Sequence, residues 1–201
     1  MEEDLLYKAA KFYQDNLDGK DFCLAVGKKG NLATFVISFR PEHFKHLLGL
    51  DKLKDITFLQ ARSSMVYNAI LKRKISYFDI IKSPRFSEME NRLKNFPDLK
   101  NALYSKELMV RSLHRKFNTI EADFMMTKTD LSKYGYAHLF FKTDKEGISI
   151  PITYIIHPNN AYLQNNPNKW TVLSIEEIQK PVLSKKTSPI DGNAEEHEHE
   201  R

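Results

Sequence analysis

Apolar residues recur at two different spacings along this chain, and each spacing predicts a different secondary structure. Between residues 3 and 103, apart from one hairpin, they recur every three to four residues, as on the buried face of a helix. Between residues 108 and 175 apolar and polar residues alternate, as in half-buried strands. The sequence therefore predicts an α+β fold with an N-terminal helix and β-hairpin, central short helices and a C-terminal antiparallel sheet of four to five strands.

Glycine and serine mark several ends of these elements. Asp18-Gly19 ends the first helix, Gly27–Asn31 is a turn typical of a hairpin, and Ser63-Ser64 is expected to cap a central helix. The predicted helices cover residues 3–16, 40–50, 65–74, 77–81, 87–96 and 97–103. The predicted strands cover residues 22–26, 32–39, 108–113, 122–127, 137–143, 149–156 and 170–175.

Length and composition narrow the class of protein. The chain has 201 residues, 41% of them hydrophobic, which predicts one globular domain at residues 1–183 and a disordered polar tail at residues 184–201. The N-terminus lacks the apolar stretch of a secretory signal, and no apolar run is long enough to cross a membrane. We therefore expect a cytoplasmic protein without a membrane partner. The single cysteine, Cys23, excludes an intramolecular disulfide and a multi-cysteine zinc site.

The positive charge of the chain is concentrated in its centre. The whole chain carries a formal net charge of +5, of which residues 184–201 contribute −2 and residues 1–183 contribute +7. Residues 61–117 alone hold thirteen lysines and arginines against five acidic residues, a net charge of +8. Such a cluster can displace counterions from phosphates, so a polyanion partner and a solvated basic face are both compatible with it.

Five short segments follow one another in a characteristic order. They are Phe44–Leu53, Ile81–Phe86, Asn91–Phe96, Glu121–Phe124 and His138–Lys142, and the most specific part is Phe44-Lys45-His46-Leu47-Leu48-Gly49-Leu50 within the first of them. In this order they resemble the fourth class of phage-encoded Barnase-EndoU-Colicin-RelE-like nuclease domains, over residues 7–178. The resemblance implies N-terminal helices with a four-stranded antiparallel sheet. It also implies metal-independent RNA cleavage, without a cofactor, by a toxin or effector of phages and mobile elements in the host bacterial cytosol.

His46, inside the first of these segments, is the leading catalytic candidate. Metal-independent RNA cleavage needs a base for the ribose 2′-OH, an acid for the leaving 5′ oxygen and cations for the phosphate. Histidine suits either proton transfer because its pKa lies near neutrality. Two other interpretations stay open: a helix residue with one fixed hydrogen bond, and a less favoured metal site shared with His43, for which the spacing offers no third ligand.

Three more residues are assigned catalytic roles. Arg92, which matches an arginine of the family pattern, and Lys142 are expected to hold phosphate, while Asp123, at an acidic family position, orients a histidine or arginine. Substrate binding is assigned to basic, hydroxyl and aromatic side chains, namely Lys45, Lys72, Arg73, Ser83, Arg85 and Tyr136. Candidates for base stacking are Tyr67, Tyr77, Tyr134 and Tyr136. The alternative is an ordinary exposed side chain for Arg92 and Lys142, a helix cap for Ser83 and an ion pair for Asp123.

The function hypothesis has two rivals. The first is a non-catalytic protein on the same scaffold that binds and inhibits a host protein. The second is a regulator that binds DNA or RNA without cleaving it. The expected partner is therefore RNA, with a host protein or a cognate inhibitor as the alternative.

Overall fold

The computed structural model of the chain describes residues 4–105, 108–111, 120–128, 135–158, 162 and 168–178. These residues form six helices, α1 (Leu5–Asn16), α2 (His43–Leu48), α3 (Ser63–Leu71), α4 (Tyr77–Ile80), α5 (Ser87–Lys94) and α6 (Asp98–Leu103). They form seven strands, β1 (Asp21–Lys28), β2 (Asn31–Ser38), β3 (Leu108–Arg111), β4 (Phe124–Lys128), β5 (Tyr136–Thr143), β6 (Ile148–His157) and β7 (Lys169–Ile178). Two short 3-10 helices, Leu50–Lys52 and Thr57–Gln60, follow α2. The predicted α+β class is confirmed.

A two-residue turn joins β1 to β2. Lys29 and Gly30 have φ angles of 47° and 83°, in the left-handed region that hairpin turns of this length require. Lys28 pairs with Asn31 across the turn. The hairpin predicted from the glycines of this segment is therefore present, with strands one to two residues longer at most ends than the alternation indicated.

The hairpin and the C-terminal strands belong to one closed sheet. The strand order is β1-β2-β6-β5-β4-β3-β7, and β7 pairs back onto β1 in an antiparallel ladder. Only the contact between β2 and β6 is parallel among the described strands, through Val36–Ile148 and Ile37–Ser149. The sequence suggested a hairpin beside a separate C-terminal sheet, because alternation shows which face of a strand is buried but not which strand it pairs with.

The sheet is covered on both faces at β4 and β5. Met126 and Leu139 belong to the main core shared with the helices, whereas Met125 and Phe140 form a second, smaller cluster on the other face. All four side chains are fully buried. The sequence predicted strands with one buried face, but in this part of the sheet both faces are buried. The second cluster also supports one wall of the cleft described below.

The helices pack around an aromatic group next to the sheet. Tyr13 of α1 contacts Phe44 of α2 and Tyr67 of α3, with ring centroids 5.5 and 5.6 Å apart. This packing fixes α2 against α3 and β6. No helix in the described ranges is long and apolar enough to cross a membrane. The tail predicted at residues 184–201 lies outside the described residues, and the division at residue 183 stays a prediction.

Candidate active site

A cleft of about 490 Å³ lies where α2, the first 3-10 helix, α5 and strand β6 come together. Its lining divides into a polar part and an apolar part. The polar part consists of His46, Asp51, Lys52, Arg92 and Thr153, together with the backbone of Gly49. The aliphatic and aromatic residues are Ile120, Ile152, Ile155 and Tyr162. A cleft of this size is in the usual range for small-molecule sites.

The segment Phe44–Leu50 places His46 in the cleft. The leucines and phenylalanine of this segment are fully buried, whereas about half of the His46 side chain is exposed. Gly49 ends α2 with φ 81° and ψ 22°, a left-handed conformation that glycine adopts without steric cost. Because the chain reverses at Gly49, the following 3-10 helix brings Asp51 back beside His46.

His46, Asp51 and Lys45 form a connected group. The His46 Nδ1 lies 2.5 Å from one carboxylate oxygen of Asp51, and the Lys45 Nζ lies 3.2 Å from the other. Lys45 is buried and also donates to the carbonyl of Ala61 at 3.3 Å. Burial acts to raise the pKa of Asp51, but hydrogen bonds and charge from His46 and Lys45 outweigh it and lower that pKa. Asp51 is therefore an ionised carboxylate that can orient the imidazole.

The other ring nitrogen of His46 faces α3. Because the Asp51 carboxylate can only accept a hydrogen bond, it favours the tautomer with the proton on Nδ1, which leaves the lone pair on Nε2. The Ser63 hydroxyl lies 3.4 Å from Nε2. Ser63 was expected to cap α3 from outside. Instead it is the first residue of the helix, after Arg62 at the N-cap position, and no side-chain cap is formed.

Arg92 is a buried cation in the same cleft. Its side chain extends from α5 and donates from Nη1 to the Thr153 hydroxyl on β6 at 3.2 Å. Among the described residues, no carboxylate lies within ion-pair distance of its guanidinium. Burial lowers the pKa of Arg92, although a guanidinium stays protonated at any physiological pH. A buried charge without a carboxylate partner carries a desolvation penalty that a bound anion would offset.

Lys52 supplies a second cation to the cleft. Its Nζ lies 3.8 Å from Glu88, with about a third of the side chain exposed. Burial and then the positive charge of Arg92 lower its pKa. Two cations beside one histidine–carboxylate pair make this cleft suited to an anion that undergoes proton transfer.

Replacing Gly49 by alanine should affect both stability and anion binding. A Cβ at this position would lie 2.9 Å from Nη1 of Arg92, so the guanidinium must move. We expect a loss of about 1–2 kcal/mol in the free energy of unfolding from the left-handed backbone, together with weaker phosphate binding. Urea unfolding and an NMR titration with inorganic phosphate measure the two effects.

Gly19→Ala is the matched control for this prediction. Gly19 also has a positive φ, 75°, but a Cβ added there would meet no atom within 4 Å. It should therefore lose similar stability while keeping full phosphate affinity. Equal phosphate affinity in the Gly49 and Gly19 variants would show that Gly49 does not position Arg92.

The structure brings together some of the sequence-predicted catalytic residues. His46 and Arg92 line the cleft, whereas Asp123 and Lys142 do not. The exposed Asp123 carboxylate accepts from the backbone N–H of Thr143 at 2.7 Å and so joins the start of β4 to the end of β5. Lys142 is more than half exposed, 4.0 Å from Glu121. Asp51, rather than Asp123, is the carboxylate that lies beside His46.

The predicted substrate-binding residues are dispersed. Lys45 lies behind Asp51 as its buried partner and is not a free surface cation. Four others have intramolecular contacts elsewhere. The Arg73 guanidinium lies 3.8 Å from the centroid of the Tyr7 ring, and Arg85 forms an ion pair with Glu88 at 2.7 Å. The buried Ser83 hydroxyl donates to Asp55 at 2.8 Å. The Tyr136 ring is parallel to the His138 ring. Lys72 is exposed directly after α3. None of these six residues lines the cleft.

Other candidates are also placed by the structure. His43 is buried and accepts a hydrogen bond from the Arg40 backbone at Nδ1, and burial lowers its pKa. No group of three potential metal-ligating side chains occurs around His43 and His46 or elsewhere in the part of the chain that the structure describes. Tyr67 is a fully buried core residue and Tyr77 packs against Phe86. Tyr134 lies outside the described residues.

Sequence reasoning missed Asp51, Lys52, Thr153 and Tyr162. A signal for the first two was present, because a glycine after a short helix reverses the chain, and Asp51 follows that reversal five residues after His46. Thr153 and Tyr162 lie more than one hundred residues from His46 in the sequence. Their position depends on how β6 meets α2, which no local pattern reveals.

Comparison with known proteins identifies the family of the chain. A family model described as phage-Barnase-EndoU-ColicinE5/D-RelE like nuclease 4 matches residues 5–187. Neither a curated protein nor a solved structure gives a significant match. The family match spans all the elements that form the cleft, so its polar group is the candidate site of a nuclease. The chain thus belongs to the phage Barnase-EndoU-ColicinE5/D-RelE-like nuclease 4 family, as the order of its five segments indicated.

Proposed function

We propose that the chain is a metal-independent endoribonuclease that cleaves host RNA in the bacterial cytosol, as a toxin or effector of a phage or mobile element. Family membership supports a nuclease-type function. The finer proposal rests on one observation above all: the His46–Asp51 pair and the buried Arg92 line the same cleft. This combination offers a proton acceptor and a phosphate ligand at one position.

His46 is the proposed general base. Its Nε2 takes the proton of a ribose 2′-OH, and the 2′ oxygen then attacks the adjacent phosphorus. Asp51 stabilises the imidazolium that forms, because its carboxylate already lies against Nδ1. The bond to the 5′ oxygen breaks, leaving a 2′,3′-cyclic phosphate on one fragment and a 5′-OH on the other. The Ser63 hydroxyl, at 3.4 Å, is a weak contact that substrate can replace.

Arg92 and Lys52 are the proposed phosphate ligands. Negative charge increases on the phosphoryl oxygens as the 2′ oxygen attacks, and cations fixed in the cleft stabilise it. Lys52 is also the proposed acid for the leaving 5′ oxygen, since its lowered pKa makes it a better proton donor than an ordinary lysine. Lys142 and Asp123 lie outside this arrangement.

The experiment is cleavage of purified RNA by purified protein. Total bacterial RNA is incubated with the chain in the presence of EDTA, and the fragments are tested for 2′,3′-cyclic phosphate ends. An oligonucleotide with 2′-deoxyribose at every position is the substrate control, and we expect it to stay intact because it lacks the nucleophile. The His46→Ala variant purified in the same way excludes contaminating nucleases.

Four results would contradict the proposal. Cleavage that stops in EDTA would contradict metal independence, and equal cleavage of the deoxy substrate would contradict attack by the 2′-OH. Intact RNA together with co-purification of a stoichiometric host protein would favour the non-catalytic alternative. Salt-sensitive RNA or DNA binding without any product would favour the regulator.

A further inference from the structure

The part of the cleft next to Arg92 is apolar. Ile152 directly precedes Thr153, whose hydroxyl accepts from Arg92 at 3.2 Å, and Ile155 follows on the same strand. Ile120 and Tyr162 complete this part of the lining. We call these four residues the apolar wall. All four are partly exposed, so their apolar surface is open to a ligand in the cleft.

Buried side chains of the sheet support the apolar wall. Its four residues pack against the buried pair Met125 and Phe140, the second cluster of the sheet. The Tyr162 ring makes edge-to-face contacts with His138 and Phe140, with centroids 5.0 and 5.3 Å apart, and with His157 at 5.9 Å. A ring held by three aromatic neighbours loses little conformational freedom when a flat ligand binds.

Charge is divided within the cleft in the way that it is divided in a nucleotide. The cations Arg92 and Lys52 belong to the polar part, whereas the apolar wall carries no charged side chain. A nucleotide likewise has an anionic phosphate at one end and a flat, uncharged base at the other. A cleft of about 490 Å³ is in the size range of sites for one small ligand of this kind.

We propose that the apolar wall is a nucleobase subsite, in which the base lies against Ile152, Ile155 and Tyr162 while its phosphate contacts Arg92. The orientation of the ribose in this inference rests on the proposed function. The binding of the base and the phosphate does not depend on it. Contact with aliphatic and aromatic surface tolerates different bases, because every base has a π-face. Adenine and uracil should therefore both bind, and ribose phosphate without a base should bind more weakly.

The test compares ligands with and without a base. NMR titrations of the full chain use adenosine 3′-monophosphate and uridine 3′-monophosphate as nucleotides, with ribose 5-phosphate and inorganic phosphate as controls. We expect both nucleotides to bind about tenfold more tightly than ribose 5-phosphate, the size of effect that base stacking on aromatic side chains supports. Equal affinities would overturn the proposal, and so would no binding of any ligand.

Variants test whether the apolar wall causes the difference in affinity between the nucleotides and ribose 5-phosphate. Tyr162→Ala should weaken nucleotide binding about tenfold and leave phosphate binding unchanged, whereas Tyr162→Phe keeps the ring and should stay within twofold of the parent. Ile152→Thr, which keeps a β-branched residue in the strand, is the second variant if Tyr162→Ala does not fold. Equal losses for nucleotide and phosphate would show a general structural effect and overturn the assignment.

The outcome separates this inference from the proposed function. A chain that cuts RNA but does not prefer nucleotides over ribose 5-phosphate keeps the proposed function and loses the subsite. A chain that prefers nucleotides but leaves RNA intact in EDTA keeps the subsite and loses the proposed endoribonuclease activity.

Discussion

We expect the replacement of Asp51 by asparagine to lower the rate of the proposed RNA cleavage by about 10²- to 10⁴-fold, the range that general acid–base catalysis typically contributes. An asparagine amide of similar shape can donate to Nδ1 as well as accept from it, so the tautomer with a free Nε2 is no longer favoured. The imidazolium formed during the reaction also loses its negative partner. Replacing His46 by alanine removes the base itself and should have at least as large an effect.

Asp123→Asn is the matched control for this prediction. It makes the same chemical change at the carboxylate that the sequence indicated, which in the structure accepts from Thr143 and does not line the cleft. Single-turnover rates with a defined RNA oligonucleotide, measured beside thermal melting curves, should show Asp123→Asn within a few-fold of the parent. A large loss in Asp123→Asn with normal rates in Asp51→Asn would return the orienting role to Asp123.

The difference between these two aspartates shows what the sequence could reveal of the site. His46 was identifiable because histidine is the side chain suited to proton transfer near neutral pH, and Arg92 because it lies in a segment of the family pattern. Asp123 was chosen for its place in the same pattern. The selection of Asp51 requires the backbone geometry of Gly49, whose φ of 81° turns the chain back towards His46.

For the fold too, local sequence patterns predicted the secondary structure but not the pairing of distant strands. Hydrophobic spacing predicted the helices and strands of the described residues with differences of a few residues at their ends, because spacing reports which face of an element is buried. It could not predict that β7 pairs with β1, or that β2 runs parallel to β6. These pairings bring β6 beside α2, and so they create the cleft that the local patterns could not predict.

The net charge of the basic centre does not by itself identify the residues that line the cleft. Residues 61–117 carry a net charge of +8, yet Arg85 and Lys94 pair with glutamates of α5 and Arg73 lies over Tyr7. Among the described residues of this stretch, Arg92 alone lines the cleft. Its importance comes from burial without a carboxylate partner among the described residues, a property that counting charges along a sequence cannot reveal.

Low pH will destabilise the folded protein through His138, which lies in a segment that the sequence predicted to be a strand. This histidine is fully buried beside Thr127, whose hydroxyl lies 2.9 Å from its Nδ1, while Nε2 has no hydrogen-bond partner among the described residues. Burial, and then the nearby His157, lower the pKa of His138 from 6.5 to about 3. The side chain is therefore neutral in the folded protein down to strongly acidic pH.

The direction of the pH dependence follows from proton binding in the two states. Below pH 6.5 the unfolded chain binds a proton at His138 that the folded chain does not bind until about pH 3. The free energy of unfolding should therefore fall as the pH falls, by about 1.4 kcal/mol for each pH unit in this interval and roughly 3–5 kcal/mol in total. Urea unfolding between pH 7.5 and pH 4 measures the slope.

His138→Gln isolates this contribution from the carboxylates that also titrate in acid. Glutamine keeps a polar group near Thr127 but binds no proton, so the variant should lose stability less steeply than the parent as the pH falls. The two curves should converge towards low pH even if the variant is less stable at pH 7.5. Parallel curves would show that His138 already binds its proton in the folded protein, which would require an acceptor for the Nε2 proton or water access to this cluster.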